Sequence, residues 1–207
     1  MLVIVDYGMG NLRSVAKAFE HLGLPAKISS IPAEIERADR LVLPGVGAFE
    51  DAMTALTSRS LAEPIRSFIK SGKPFLGICL GLQLLFDTSY EDGTHQGLGV
   101  WGGKCVRFDF STDPKASELK IPHMGWNTLA KQNACPLLAG IPDGSYVYFV
   151  HSYYVAPNDK NITTTLTEYG PVSFTSAAWK DNVFATQFHP EKSQRVGLKM
   201  LQNFIDI

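Results

Sequence analysis

The sequence predicts an α/β fold: a mostly parallel central sheet flanked by helices, followed by a β-rich second half. Two observations predict it. Over roughly the first ninety residues, short apolar runs ending in glycine, proline or aspartate alternate with stretches of helical spacing, the signature of βαβ units covered on both faces. From Leu98 to Thr186 that spacing gives way to closely set β-type runs punctuated by turn residues.

The elements follow in order. Leu2–Val5 reads as a strand ending at Asp6. Asn11 to Leu22 has helical spacing, with Leu12, Val15, Phe19 and Leu22 on one stripe and Gly23 as a stop. "AKISS" and "RLVLPG" read as strands, and Phe49–Leu56 and Leu61–Ile69 as helices, the second with Pro64 in its first turn. "PFLGI" is a buried strand that runs directly into a helical stretch, Leu80–Phe86. The later runs are "KCVRFDF", "YVYFVHSYYV", "ITTTLTEYG", "VSFTSAAWK" and "VFATQFHP", and a helix over Arg195–Ile205 closes the chain.

The bulk properties narrow the function. With 207 residues, 45% of them hydrophobic, and no linker, repeat or low-complexity block, one domain over 1–207 is expected. A formal net charge of −1 leaves no basic footprint, so nucleic acid is not expected as a partner. The opening "MLVIVDYGMG" lacks the basic start of a signal peptide, and no run of about 18 apolar residues is present, so no membrane association is expected. Three cysteines argue against a disulfide framework and for reduced thiols in the cytoplasm.

One cysteine stands apart. Gly77-Ile78-Cys79-Leu80-Gly81 lies at a predicted strand-to-helix joint, where α/β sheets gather their ligands. G-x-C-x-G is the nucleophile-elbow pattern with cysteine in place of serine. The tight turn would lift the sulfur clear of the sheet, the helix start would favour a thiolate, and the Leu80 N–H would face an oxyanion. The pentapeptide alone also fits a buried structural thiol. Cys105, in an alternating run, and Cys135, in a loop before Pro136, are read as structural.

A reactive thiol needs a base. Among His21, His95, His123, His151 and His189, only His189 ends a β-type run with a carboxylate close by. In "QFHPE", Pro190 biases His189 towards extended geometry, where Glu191, two residues on, would share its face and orient the ring. Alone, H-P-E also fits a surface turn. No C-x-x-C or H-x-x-x-H spacing is present, so neither a metal nor a cofactor is expected. A second strand ends in "PGVG", where Val46 and Gly47 can supply another oxyanion donor; no G-K-[ST] follows to make it a phosphate loop.

"PGVGAF", "GICLGLQLLF" and "QFHPEKS", in this order and spacing, resemble the triad (class I) glutamine amidotransferases, whose sheet is flavodoxin-like. "VDYGMGNLRSV", "PHMGWN", "YFVHSYYV" and the tail "HPEKSQRVGLKMLQNF" narrow the resemblance to the glutaminase subunits of imidazole glycerol phosphate synthases, over essentially the whole chain. The resemblance implies that Cys79 attacks the carboxamide of L-glutamine while His189, oriented by Glu191, relays the proton. It implies an oxyanion hole at Leu80, Val46 and Gly47. It further implies that Gln83, Glu91, Ser152 and Tyr153 bind the substrate. It also implies a heterodimer with a (β/α)₈-barrel cyclase subunit, with Asn11, Met124, Trp126, Tyr148 and Lys192 at the interface. A cysteine hydrolase of different substrate, or the glutaminase of another synthase, would share the elbow.

Overall fold

The computed structural model describes residues 1–111 and 119–207. The strands are β1 (Leu2–Val5), β2 (Ala26–Ser29), β3 (Arg40–Gly45), β4 (Phe75–Cys79), β5 (Phe86–Ser89), β6 (His95–Gln96) and β7 (Trp101–Arg107) in the first half. They continue as β8 (His123–Thr128), β9 (Ala130–Lys131), β10 (Tyr146–His151), β11 (Tyr153–Pro157), β12 (Thr163–Tyr169), β13 (Val172–Lys180) and β14 (Val183–Thr186). The helices are α1 (Leu12–His21), α2 (Pro32–Arg37), α3 (Phe49–Ser58), α4 (Ala62–Lys70), α5 (Leu80–Gln83) and α6 (Gln194–Asp206).

Strands β2, β1, β3, β4 and β14 lie side by side and all parallel. Beyond β14 the same sheet turns antiparallel through β13, β11 and β7, before β5 and β6. Strand alternation divides the core into two layers. Val3, Val5, Leu41 and Leu43 pack with Phe49 and Leu56 of α3 and Ile65 and Phe68 of α4. Leu2, Ile4, Val42, Leu76 and Ile78 face the other way, onto Val15 and Phe19 of α1 and Met200, Leu201 and Phe204 of α6. The inner parallel strands β1, β3, β4 and β14 therefore read as largely apolar runs, because both their faces are covered, whereas edge strand β2 exposes Lys27 and Ile28.

The run "YVYFVHSYYV" is two strands that serve different sheets. β10 leaves the main sheet to pair with β8, His151 opposite His123 and Tyr148 opposite Trp126. After Ser152 the chain rejoins the main sheet as β11, against β7 and β13. The sequence pattern does not predict β8, because "PHMGWN" has neither β-branched residues nor clear alternation.

The helix expected over Leu80–Phe86 is one turn long. "LGLQLLF" has no polar face, so its periodicity cannot separate helix from buried strand. The carbonyls of Leu84 and Leu85 instead accept the N–H groups of Leu98 and Val100, each at 2.8 Å, and Phe86 starts β5. Helix α2 is likewise absent from the expected elements, although Pro32 in its first turn and Glu34 behind it mark its start.

The joint between β4 and α5 is tightly built. A Cβ on Gly81 would run into the backbone carbonyl oxygen of Leu43 in β3. We expect Gly81→Ala to cost about 2–3 kcal/mol, because backbone rather than a flexible side chain stands in the way. Urea unfolding with an unchanged midpoint would contradict this.

Candidate active site

Cys79 ends β4 at the centre of the parallel sheet, opposite Gly45 of β3. Its backbone has φ +57° and ψ −110°, a conformation that L residues occupy only under constraint, at a cost of about 1–3 kcal/mol. Gly77 permits it: a Cβ there would lie 2.8 Å from the Gly81 carbonyl oxygen. The Cys79 side chain is buried, with Sγ 3.8 Å from the Val150 carbonyl oxygen and 3.8 Å from Gln187 Nε2. With α5 only four residues long, the helix-start effect expected at Cys79 reduces to the oriented peptides of a single turn.

His189 lies three residues beyond β14 and is itself extended, as expected before Pro190, but the extended geometry does not continue to Glu191. Pro190–Lys192 form a 3-10 turn, closed by the Lys192 N–H on the His189 carbonyl and the Ser193 N–H on the Pro190 carbonyl, both at 3.0 Å. The turn still brings the side chains together, with His189 Nδ1 2.9 Å from Glu191 Oε1. Both side chains are almost wholly buried, 2% and 1% exposed. Ser193 fastens the turn, because its hydroxyl donates to the His189 carbonyl at 2.7 Å and accepts the Tyr148 N–H at 3.0 Å. The His189 N–H in turn donates to the Tyr148 carbonyl at 3.0 Å.

Burial alone would pull the imidazolium of His189 down, but Cys79 and Glu191 beside the ring overbalance it and push it up to about 10. An imidazolium next to a thiol is the arrangement in which sulfur attacks as thiolate. The second ring nitrogen, Nε2, is buried and finds no hydrogen-bond partner among the described residues, nor does Glu191 Oε2. A buried polar atom left unpaired is costly, so a free Nε2 at such a place is a position held for a reacting group.

A cavity of about 270 Å³ opens on Cys79. Val46, Gly47, Leu80, Gln83, Glu91, Ser152 and Tyr153, the residues singled out from the sequence for oxyanion and substrate binding, all line it. So do Pro122, Val150 and His151, which sequence reasoning did not pick. Gln83 Nε2 donates to the Tyr153 carbonyl at 2.9 Å and to Gln187 Oε1 at 3.1 Å. Glu91 accepts the Phe49 N–H at 2.8 Å at the start of α3, and burial raises its carboxyl above the usual range against that bond. Tyr7 is a further missed neighbour. Its buried hydroxyl donates to the Pro44 carbonyl at 3.0 Å under the "PGVG" turn, and burial together with Cys79 pushes its phenol up. A larger groove of about 930 Å³ between α3, α4 and His95 does not include Cys79.

Four of the five residues expected at a partner interface stand together. Met124 is 66% exposed and Trp126 46%. Trp126 meets Tyr148 edge-on with ring centroids 6.0 Å apart, and Lys192 Nζ sits 5.9 Å from the Tyr148 ring centre. Asn11 is on a separate element, at the head of α1, which packs against the turn at Pro190–Lys192. Cys105 and Cys135 are buried and free; burial raises both thiols, Cys135 to about 11. Among the described residues, no group of three or more His, Cys, Asp or Glu is placed to hold a metal.

The profile of the family described as "Glutamine amidotransferase class-I" matches residues 3–207. The chain belongs to that family. Within it, the chain is 54% identical over 207 residues to the "Imidazole glycerol phosphate synthase subunit HisH" of Syntrophotalea carbinolica, with all of both chains covered. The protein of the same name from Geobacter sulfurreducens is 51% identical over 203 residues, 98% of this chain and 97% of that one. The fold is shared with PurLQS of Thermotoga maritima, TM-score 0.70 at 18% identity, covering 99% of this chain and 97% of that one. It is also shared with a glutamine amidotransferase from Thermotoga maritima, TM-score 0.60 at 16% identity, covering 99% and 82%.

Cys79 and Glu191 together keep His189 protonated against burial. With the folded value near 10 and an unfolded value of about 6.5, the bound proton stabilises the fold fully below about pH 6.5. That contribution is lost as pH rises through about 10. Glu191→Gln keeps a hydrogen-bond acceptor and removes the charge. We expect the His189 midpoint, followed by NMR, to fall by at least about one unit.

Proposed function

We infer that the chain, acting as one domain over residues 1–207, is the glutaminase subunit of imidazole glycerol phosphate synthase in histidine biosynthesis. One observation carries the chemistry: Cys79 opens on a cavity lined by the expected pocket residues, and the buried His189–Glu191 pair stands beside its sulfur. The full-length relatives carry the pathway.

In this reading the Cys79 thiolate attacks the carboxamide carbon of L-glutamine. The Leu80 N–H, with a peptide N–H from Val46 or Gly47, receives the oxyanion. As the tetrahedral intermediate collapses, the C–N bond breaks and the His189 imidazolium gives its proton to the leaving nitrogen, releasing ammonia and leaving a thioester. Neutral His189 then takes a proton from water as the hydroxide adds to the thioester; collapse breaks the C–S bond, glutamate leaves with its carboxyl proton passing to solvent, and the thiolate beside the His189 imidazolium is restored. Gln83 lines the substrate pocket, and Glu91 is the carboxylate for the α-amino group. The backbone of Ser152 and Tyr153 takes the α-carboxylate.

Ammonia set free in water would be protonated and lost as a nucleophile. A cyclase subunit docked on the Met124–Trp126–Tyr148–Lys192 face, with Asn11 at its margin, would receive it directly. We assign that partner a (β/α)₈ barrel, in a cytoplasmic heterodimer that makes imidazole glycerol phosphate and aminoimidazole carboxamide ribotide. An exposed aromatic cluster with a cation beside it is the composition of an interface centre.

Cys79→Ala should lower glutamine hydrolysis at least about a thousandfold while leaving the affinity for the cyclase intact. Ammonia release measured in the complex decides it, and persistent hydrolysis would refute the nucleophile. Trp126→Ala should weaken cyclase binding about tenfold or more by titration calorimetry, without altering the fold.

A further inference from the structure

The mechanism above leaves two paired histidines idle: His151, which lines the pocket, and His123 bonded to it. His123 and His151 face each other across the β8–β10 pairing, 4% and 6% exposed, with His123 Nδ1 3.0 Å from His151 Nε2. Two imidazoles sharing one such contact must divide the roles of donor and acceptor. The surrounding groups settle which is which, and they do so from both ends.

At the inner end, His151 Nδ1 lies 2.8 Å from the Tyr153 carbonyl oxygen, which can only accept. His151 therefore carries its proton on Nδ1, and its Nε2 accepts. At the outer end, Asn127 is fixed in orientation by the backbone. Its Oδ1 accepts the Thr128 N–H at 2.8 Å, and its Nδ2 donates to the Glu168 carbonyl at 2.8 Å. Nδ2 also lies 3.2 Å from His123 Nε2, so that nitrogen accepts and His123 carries its proton on Nδ1. The two assignments agree, and every hydrogen bond in the row points inward.

The rings have no freedom to trade places. His123 is stacked between Phe149 and Tyr169, at 4.8 and 4.2 Å between centroids, and His151 packs on Phe174 at 5.0 Å. The row ends on the Tyr153 carbonyl, the group that also accepts from Gln83. Its last bond spans Ser152, where the chain leaves one sheet for the other and the pocket opens.

We propose that His123 and His151 are positioning residues: the one-way row Asn127 to His123 to His151 to Tyr153 fixes the carbonyl that holds Gln83, and so sets the shape of the glutamine pocket. Neither ring touches the sulfur or carries a proton for the reaction. Both remain neutral; burial pulls His123 down to about 4 and His151 to about 3, with the neighbouring imidazoles at 123 and 189 adding to the effect on His151. The row starts on β8, the strand that carries exposed Met124 and Trp126.

The first test needs no variant. Nitrogen-15 NMR of the full-length wild-type chain at pH 7 should show both rings neutral with the proton on Nδ1. Either ring charged, or protonated on Nε2, overturns the proposal. The second test compares two substitutions at one site. Asparagine places an amide nitrogen where Nδ1 stands, and glutamine where Nε2 stands. In the complex with the cyclase, His151→Gln should raise KM for glutamine about tenfold, the loss of one buried hydrogen bond, with kcat changed much less. His151→Asn should stay within about threefold of wild type. Equal damage from both at equal thermal stability overturns the proposal, because packing alone would then explain it. The kinetic comparison rests on the glutaminase reading, whereas the spectrum is recorded without substrate, so failure of one is separable from failure of the other.

Discussion

The close approach of two backbones at the end of β4 is the constraint on which the site depends. α5 begins directly against β3, so near that only hydrogen fits at Gly81, beneath the Leu43 carbonyl. That contact forces the turn to complete within one residue, and Cys79 takes the strain as a positive φ. The strain is tolerated because β4 lies between β3 and β14, hydrogen-bonded on both sides and buried throughout. A looser joint would let Cys79 relax into ordinary strand geometry, with its side chain directed into one of the two core layers rather than into the cavity.

The second half of the chain completes the site by dividing. β10 and β11 are continuous in sequence yet belong to different sheets, and the pocket opens at the break, Ser152. The same β10 supplies Tyr148, whose ring lies in the exposed aromatic face and whose peptide groups hold the His189 turn through His189 and Ser193. The proposed docking face and the proposed general base therefore share one strand. A displacement of β10 by a bound partner would reach His189 through two hydrogen bonds, with no relay of side chains required.

Much of this was legible in the sequence, for a local reason. G-x-C-x-G and H-P-E each concentrate their chemistry within five residues, so the elbow and the His189–Glu191 pair could be read without knowing the fold, even though the latter is built on a 3-10 turn rather than a strand. The inner parallel strands were legible because burial on both faces writes itself as apolar runs. The apolar run after Cys79 was not, since Leu80 to Phe86 lacks a polar face to set a period, and its carbonyls are claimed by residues 98–101. Tyr7 and Gln187 act through partners 37 or more residues away, and Ser193 ties His189 to Tyr148, 45 residues back. His123 and His151 meet only because β8 and β10 pair in one particular register. No spacing in the sequence encodes it.

Three histidines lie in one small region, and the fold gives them different charges by a single difference. Burial lowers all three imidazoliums. Among the described residues His123 and His151 hydrogen-bond only to neutral partners: an amide, a carbonyl and each other. His189 alone has a carboxylate, Glu191, itself almost wholly buried, and the sulfur of Cys79 beside it. Buried carboxylate and imidazolium compensate one another, where either alone would neutralise. Their charge would be blurred by a second cation nearby, because the imidazolium at 189 disfavours a proton on His151. Burial keeps His151 neutral against the upward pull of its bond to the Tyr153 carbonyl; the bond holds the pocket wall, and the neutrality leaves His189 as the one imidazolium of the three beside the sulfur.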